Sequence, residues 1–434
     1  MGTMILIVRD KEPKGLGLRE KADFSTLKTL AFVKESFLDY YRASQNAIRA
    51  PSDISRREFG FQTFGERLMV RHRSFKSQEE LLRFIQATVP SDCYYSAAYY
   101  ESPTLEMEEK GWLGADLIFD VDADHIPTKC KAIHDRWKCL DCQKEGRGAS
   151  PDRCPQCGSQ KIKEEQWFCE ECLEAAKLEA LKLMDILLQD FGLSPGEVQV
   201  YFSGHRGYHI HVESEVLREL DQMARKEIVD YAMGLGLDLA FYGFKDAIAF
   251  ENPFDGHRQE GGWHRRILQG LYDFLSTATV DSLEEIGIKK VVSEEIIRNR
   301  DWILKVLWER GPSSAVRGLG SKAWEKLLRY SIDRQVARID SVVTTDIHRL
   351  IRLPGSLHGK TGLMKASVEG AELEAFDPLK ASVVFQGGPV RVYVRESSHF
   401  RLGDETFGPF KDTVTELPRA AALLLVCKGL GDIP

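Results

Sequence analysis

Six cysteines fall into three Cys-x-x-Cys pairs within 34 residues, Cys139/Cys142, Cys154/Cys157 and Cys169/Cys172, and Cys130 precedes them. No other feature constrains the fold as much. The segment from 127 to 172 has too few apolar side chains to make a core by itself, so something besides burial must hold it. A two-residue gap lets both sulfurs of a pair reach one tetrahedral ion. The opening MGTMILIVRDKEPKG is too short in its apolar part, and too charged afterwards, for a signal peptide; Met4 reads as the native start, with Met1–Thr3 a cloning scar. Without a secretory signal, metal binding is expected in preference to disulfides. CLDC…CPQCG, with eleven residues between its pairs, has zinc-ribbon spacing, its proline and glycine shaping the second knuckle. Cys93 and Cys427 sit in apolar contexts and read as core thiols.

Just before the cysteines stands DLIFDVDAD (116–124). In a strand, Leu117, Phe119 and Val121 fill one face, while Asp116, Asp120 and Asp122 share the other. Asp120 and Asp122 then lie roughly 6–7 Å apart. Like charges this close raise each other's pKa unless something cationic sits between them. A solvated strand face and a divalent-metal site are both compatible with this stretch alone.

At 434 residues the chain has room for two or three domains, and no run of eighteen apolar residues predicts a transmembrane helix. A net charge of −7 argues against a wholly basic nucleic-acid-coating protein but not against a local basic groove. Helical periodicity is predicted over 26–48, near SQEELLRFIQATV, and over 173–191, closed by Gly192. REFGFQTF and RLMVRHRSF read as a hairpin, and CYYSAAYYE as a further strand. EVQVYFSG and YHIHVES alternate about the GHRG turn as a second hairpin. Residues 214–336 read as an inserted helical subdomain, with breaks at ENPFDGHRQEGG, ERGPSS and RGLGSK. Strand patterning returns in KASVEGAELEAF, ASVVFQ and VRVYVRE, and ELPRAAALLLVCKGLG closes as a helix.

Two more stretches carry chemistry. YFSGHRGYHIHV offers turn N–H groups with Ser203, His205, Arg206 and His209, donors suited to phosphate oxygens; a polar hairpin tip is the bland alternative. IDSVVTTDIHRLIRLPGSLHGKTG gathers Asp340, Arg349, Arg352, His358 and Lys360 around a Pro-Gly bend, or is simply a solvated basic loop.

Taken in order, FDVDAD, SGHRGYHIHV and ID…HRLIRLPGSLHGKTGL, with a cysteine-rich module between the first two, resemble the small catalytic subunit of the archaeal and eukaryotic type of DNA primase. The resemblance covers roughly residues 25–375 and extends to REFGF. It implies an α+β fold: a mixed-sheet catalytic core over 1–126, 173–213 and 337–434, a zinc module at 127–172, and the helical insertion. Asp120, Asp122 and Asp340 take the place of its catalytic carboxylates, holding Mg²⁺ or Mn²⁺. Ser203, His205, Arg206 and His209, then Arg352, His358 and Lys360, with Arg57 of REFGF, take the place of its nucleotide contacts; where eukaryotic members carry arginine, this chain has His205. Cys130, His134, Cys169 and Cys172 match its zinc site, which makes the Cys139, Cys142, Cys154 and Cys157 ribbon an added zinc site. Asp116 and Asp124 match no role and read as surface or supporting residues.

The resemblance further implies template-directed synthesis of short RNA primers from nucleoside triphosphates on single-stranded DNA. Its expected partners are a large primase subunit and the replication machinery, in the cytoplasm and away from membranes. The rivals are a repair primase-polymerase that extends existing ends and a non-catalytic zinc-ribbon subunit. Carboxylates beside phosphates disfavour the second, because mere binding gains nothing from them.

Overall fold

A computed structural model of the chain describes residues 26–65, 68–167, 169–239, 261–310 and 321–434. The MGTMILIVRDKEPKG opening and the three breaks read at ENPFDGHRQEGG, ERGPSS and RGLGSK lie wholly or largely outside them. The fold is α+β, and every strand pairing among the described residues is antiparallel. Two compact units divide the chain: the described parts of Met1–Leu178, Gly196–Arg225 and Asp340–Pro434 in one, and of Glu179–Pro195 and Lys226–Ile339 in the other.

In the first unit the strands are β1 (Phe59–Gln62), β2 (Met69–Arg73), β3 (Asp92–Ser96), β4 (Ala98–Tyr100), β5 (Trp112–Ala115) and β6 (Leu117–Asp122). There follow β7 (Arg136–Cys139), β8 (Glu145–Arg147), β9 (Ile162–Glu165), β10 (Val198–Phe202), β11 (Gly207–Val212), β12 (Leu350–Arg352) and β13 (Ala366–Val368). One four-stranded sheet runs β12-β3-β1-β2 and another β13-β10-β11-β6, with β6 outermost. Helix Leu27–Ala43 starts at Thr26, whose hydroxyl accepts from Thr29 N–H at 3.1 Å; Ser77 caps Gln78–Thr88 in the same way.

Alternation does what the sequence expects on β6 and β11. Leu117, Phe119 and Val121 are buried, as are Tyr208, Ile210 and Val212. The β10–β11 hairpin forms with Phe202 opposite Tyr208, and β11 then pairs with β6, His209 opposite Asp120 and Gly207 opposite Asp122. Only glycine fits at 207, where a Cβ would fall 2.1 Å from the Val121 carbonyl oxygen.

The cysteine module contains a three-stranded sheet, β8-β7-β9, in which Trp137 lies against Gly146, where a Cβ would sit 2.4 Å from the indole. Towards the C-terminus, strands Val390–Ser397 and Phe410–Leu417 pair, and helix Arg419–Cys427 buries its leucines. ASVVFQ forms no strand; its consecutive apolar residues do not alternate, and Phe385 packs on Phe37 and Tyr40 from a loop.

The second unit is helical. Gly262–Thr277 and Ser321–Gln335 pack closely at Gly270, where a Cβ would lie 2.5 Å from Ser331 Oγ. Trp263, Ile267, Leu271, Phe274, Ile296, Trp324 and Leu327 form its core. No helix among the described residues is long and apolar enough to cross a membrane.

Candidate active site

Several elements of the first unit meet at a polar cleft of about 210 Å³. It is lined by Asp120 and Asp122 from β6, Ser203, His205 and His209 from the hairpin, Tyr94 from β3, and Arg349, Arg352 and His358 from the β12 region. A second, mostly apolar hollow beside Leu27, Tyr393, Val414 and Ile433 holds none of these groups.

The carboxylates are set by the pleat of β6. Asp340 joins them because its N–H donates to the Asp120 carbonyl at 2.9 Å, while its side chain caps helix Ser341–Thr345 by accepting from Val342 N–H at 2.9 Å. Burial, then the charges of Asp122 and Asp340, push the Asp120 carboxyl up to about 7, against the opposing pull of Arg349 and Lys365. Burial likewise raises Asp122, with Arg206 the chief opposing charge. His209 Nε2 lies 3.7 Å from the Asp120 carboxylate, but burial holds that imidazole neutral, with Lys365 adding to the effect. Two carboxylates so weakly compensated in a cleft fit a divalent cation. The three aspartates do not bring their oxygens as close together as the two cysteine clusters bring their ligand atoms.

The rest of the polar lining is cationic or neutral. Arg352 is buried and fixed by Asp92 at 2.5 Å, the Leu357 carbonyl at 3.2 Å and Tyr94 Oη at 3.4 Å. His205 and His358 stack with centroids 4.9 Å apart, both driven well below the usual imidazole range, first by burial and then by surrounding cations. Ser203 Oγ accepts from the N–H groups of His205 (3.2 Å) and Gly207 (3.3 Å), fixing the turn. Lys360 is exposed at its loop tip, close enough for its charge to act on both histidines.

Two arginines of the sequence reading lie elsewhere. Arg57 is fully buried, giving its donors to the carbonyls of Ser52, Ser96 and Ala97 and to Asp116 at 2.5 Å. Asp116, read as a surface or supporting residue, is buried as its partner. Arg206 is also fully buried; its guanidinium faces Asp124, Asp135 and the Trp167 carbonyl and does not line the cleft.

The sequence reading gathered Arg349 into the third stretch without assigning it a contact, and passed over Tyr94, Asp92, Lys365 and Lys428. Lys365 is buried, donating to the Arg352 carbonyl at 2.8 Å and lying 3.1 Å from His211 Nε2. Lys428 Nζ lies 3.0 Å from His205 Nε2. Their only signal was, for Lys365, its place just beyond the third motif; Lys428 had none.

The eight zinc candidates form two clusters among the described residues, Cys130/His134/Cys169/Cys172 and Cys139/Cys142/Cys154/Cys157, each with its ligand atoms within 4.8 Å of one another. Separations of 3.3 Å (Cys130–Cys172), 3.6 Å (Cys139–Cys157) and 3.5 Å (Cys142–Cys154) between sulfurs approach the edge of roughly 3.8 Å that Zn–S bonds of about 2.3 Å give a tetrahedron. His134 turns Nε2 to Cys172 at 3.4 Å and Nδ1 to Asp135 at 2.8 Å, as a zinc-ligating histidine with a carboxylate behind it does. Both clusters could hold zinc.

The family of the DNA primase small subunit matches residues 153–369. A DNA primase small subunit PriS of Cenarchaeum symbiosum (strain A) is 34% identical over 403 residues, 93% of this chain and 98% of that protein. Proteins of the same name from Nitrosopumilus maritimus (33% over 404 residues; 93% and 98%) and Methanothrix thermoacetophila (34% over 426; 94% and 99%) are similar to it over as much of their length. The chain belongs to the DNA primase small subunit family, whose members serve DNA replication as catalytic subunits of nucleotidyltransferase type.

Proposed function

We propose that this chain synthesises short RNA primers de novo on single-stranded DNA from nucleoside triphosphates, as the catalytic partner of a large primase subunit. The observation that carries the reading is the pair of weakly compensated carboxylates, Asp120 and Asp122, lining one cleft together with Arg352 and three histidines held neutral. Asp120, Asp122 and Asp340 would hold Mg²⁺ or Mn²⁺. Such ions supply activation of a 3′-hydroxyl and stabilisation of the pyrophosphate leaving group. Arg352, pre-set by Asp92, presents its remaining donors to triphosphate oxygens without a reorganisation cost. Ser203 and the turn it ties orient the phosphates, with His205, His209 and His358 as neutral donors and Lys360 as an exposed charge at the rim. The clustered thiols hold zinc in closed sites, so the module shapes the cleft without touching substrate. The described parts of 1–126, 173–213 and 337–434 that fall in the first unit supply the core, with the helical residues inserted between 214 and 336.

The test is synthesis from nucleoside triphosphates alone on an unprimed single-stranded template, with and without the large subunit. Short products are expected, increased by the partner. Extension of annealed primers with no product on bare template would instead favour the repair polymerase.

A further inference from the structure

Arg206 stands between the zinc module and the carboxylate strand, and its contacts form an unbroken polar chain. His134, whose Nε2 faces the cysteines, donates through Nδ1 to Asp135 Oδ1 at 2.8 Å. The same oxygen accepts from Trp167 N–H at 3.2 Å and from Arg206 Nη1 at 3.3 Å; Nη1 also donates to the Trp167 carbonyl at 2.8 Å. The other end of the guanidinium pairs with Asp124. Asp124 in turn donates its N–H to Asp122 Oδ1 at 2.9 Å, and the Arg206 carbonyl accepts from Ala123 N–H at 3.2 Å. A buried charge with this few partners is held by all of them together, and losing one moves it toward the others.

We propose that Asp135 and Arg206 are positioning residues that couple occupancy of the Cys130/His134/Cys169/Cys172 zinc site to divalent-cation affinity at Asp120 and Asp122. The inference rests on the cation site proposed above. Zinc fixes the His134 ring; the ring fixes Asp135; Asp135 shares the charge of Arg206 and draws it away from Asp122. The guanidinium then steadies the 122–124 turn without competing for the carboxylate. With Asp135 neutral or misoriented, Arg206 is left to the Asp124 side, where its charge opposes a cation on Asp122. Coupling of this kind is reciprocal, so a cation at the aspartates must raise zinc affinity by the same factor.

The measurement uses the full-length, zinc-loaded chain and follows binding, not turnover. Free Mn²⁺ is titrated by electron paramagnetic resonance for the wild type, Asp135→Asn, Arg206→Lys and Asp122→Asn. Zinc affinity is read by competition with a chromophoric chelator, with and without saturating Mn²⁺. Asp135→Asn is expected to weaken Mn²⁺ binding about 5-fold or more and zinc retention about 10-fold or more. In the wild type, Mn²⁺ should strengthen zinc binding by the factor that zinc strengthens Mn²⁺ binding. A residue that merely stabilises the fold would move neither affinity of the folded protein. If Asp135→Asn binds Mn²⁺ like the wild type while Asp122→Asn does not, the relay is overturned and the cation site stands. If Asp122→Asn binds like the wild type, both fall. Should Asp135→Asn fail to fold, Arg206→Lys and the wild-type reciprocity decide: zinc affinity indifferent to Mn²⁺ overturns the proposal.

Discussion

A carboxyl held up to about 7 makes Asp120 costly to the cation-free fold, and the sign of that cost can be worked out. Its folded pKa lies above the unfolded value of about 4, so between these pH values the folded state binds the extra proton. Stability from this group is therefore greatest below pH about 4, falls as pH rises to about 7, and is flat beyond. Asp120→Asn removes the slope. We expect it to be more stable than the wild type by about 1–3 kcal/mol at pH 8, the gain shrinking at pH 5, in urea unfolding without divalent ions. Primer synthesis should fall at least 1000-fold, about 4 kcal/mol of barrier. Retained synthesis, or a gain independent of pH, would remove Asp120 from the cation site. This aspartate was legible in the sequence because a two-residue period puts it on a face with Asp122. The place of Arg206 was not: a turn arginine reads alike whether it faces the cleft or the module behind it. Lys365 was invisible for another reason, since a lone lysine gives no sign that its ammonium will be buried against a backbone carbonyl.

At the scale of elements, the hairpin and its pairing with β6 decide where the chemistry sits. Gly207 is the tightest point of that pairing, and the sequence showed it only as one of two turn glycines. Gly207→Ala must push β11 from β6, because the clash is with backbone and not with a side chain that can swing aside. A loss of roughly 2–4 kcal/mol in unfolding free energy is expected, with nucleotide use impaired in whatever remains folded. Wild-type stability in that variant would mean that β6 and β11 are less closely paired than described. Strands with strict alternation, β6, β10 and β11, were readable from the sequence. ASVVFQ was misread because β-branched residues without alternation also suit a loop that lends Phe385 to a neighbouring helix.

Over the whole molecule, the balance of −7 hides what the cleft holds, where Arg349 and Arg352 line the same space as Asp120 and Asp122. Zinc content tests the other large-scale feature. Elemental analysis should give close to two zinc ions per chain, and chelation should raise hydrogen exchange in 127–172 before the rest. One ion per chain would leave one of the two clusters as an ordinary group of thiols. Their spacing made the ribbon readable from residue counts alone, whereas the first cluster joins residues 42 apart and could be grouped only by resemblance until the fold brought Cys130 to Cys172.

The position of β6 as the last strand of its sheet has a consequence unrelated to catalysis. An outermost strand offers its free backbone groups to any extended chain that drifts past, and proteins commonly discourage such addition with charge. Here Asp340 N–H already occupies the Asp120 carbonyl, and Asp120 and Asp122 put two carboxyl groups on this outermost strand. The residues that await a cation thus also set the charge of the last strand of the sheet. Neutralising both would relieve repulsion within the fold while disarming the border, so the most thermally robust versions of this protein would also be its stickiest.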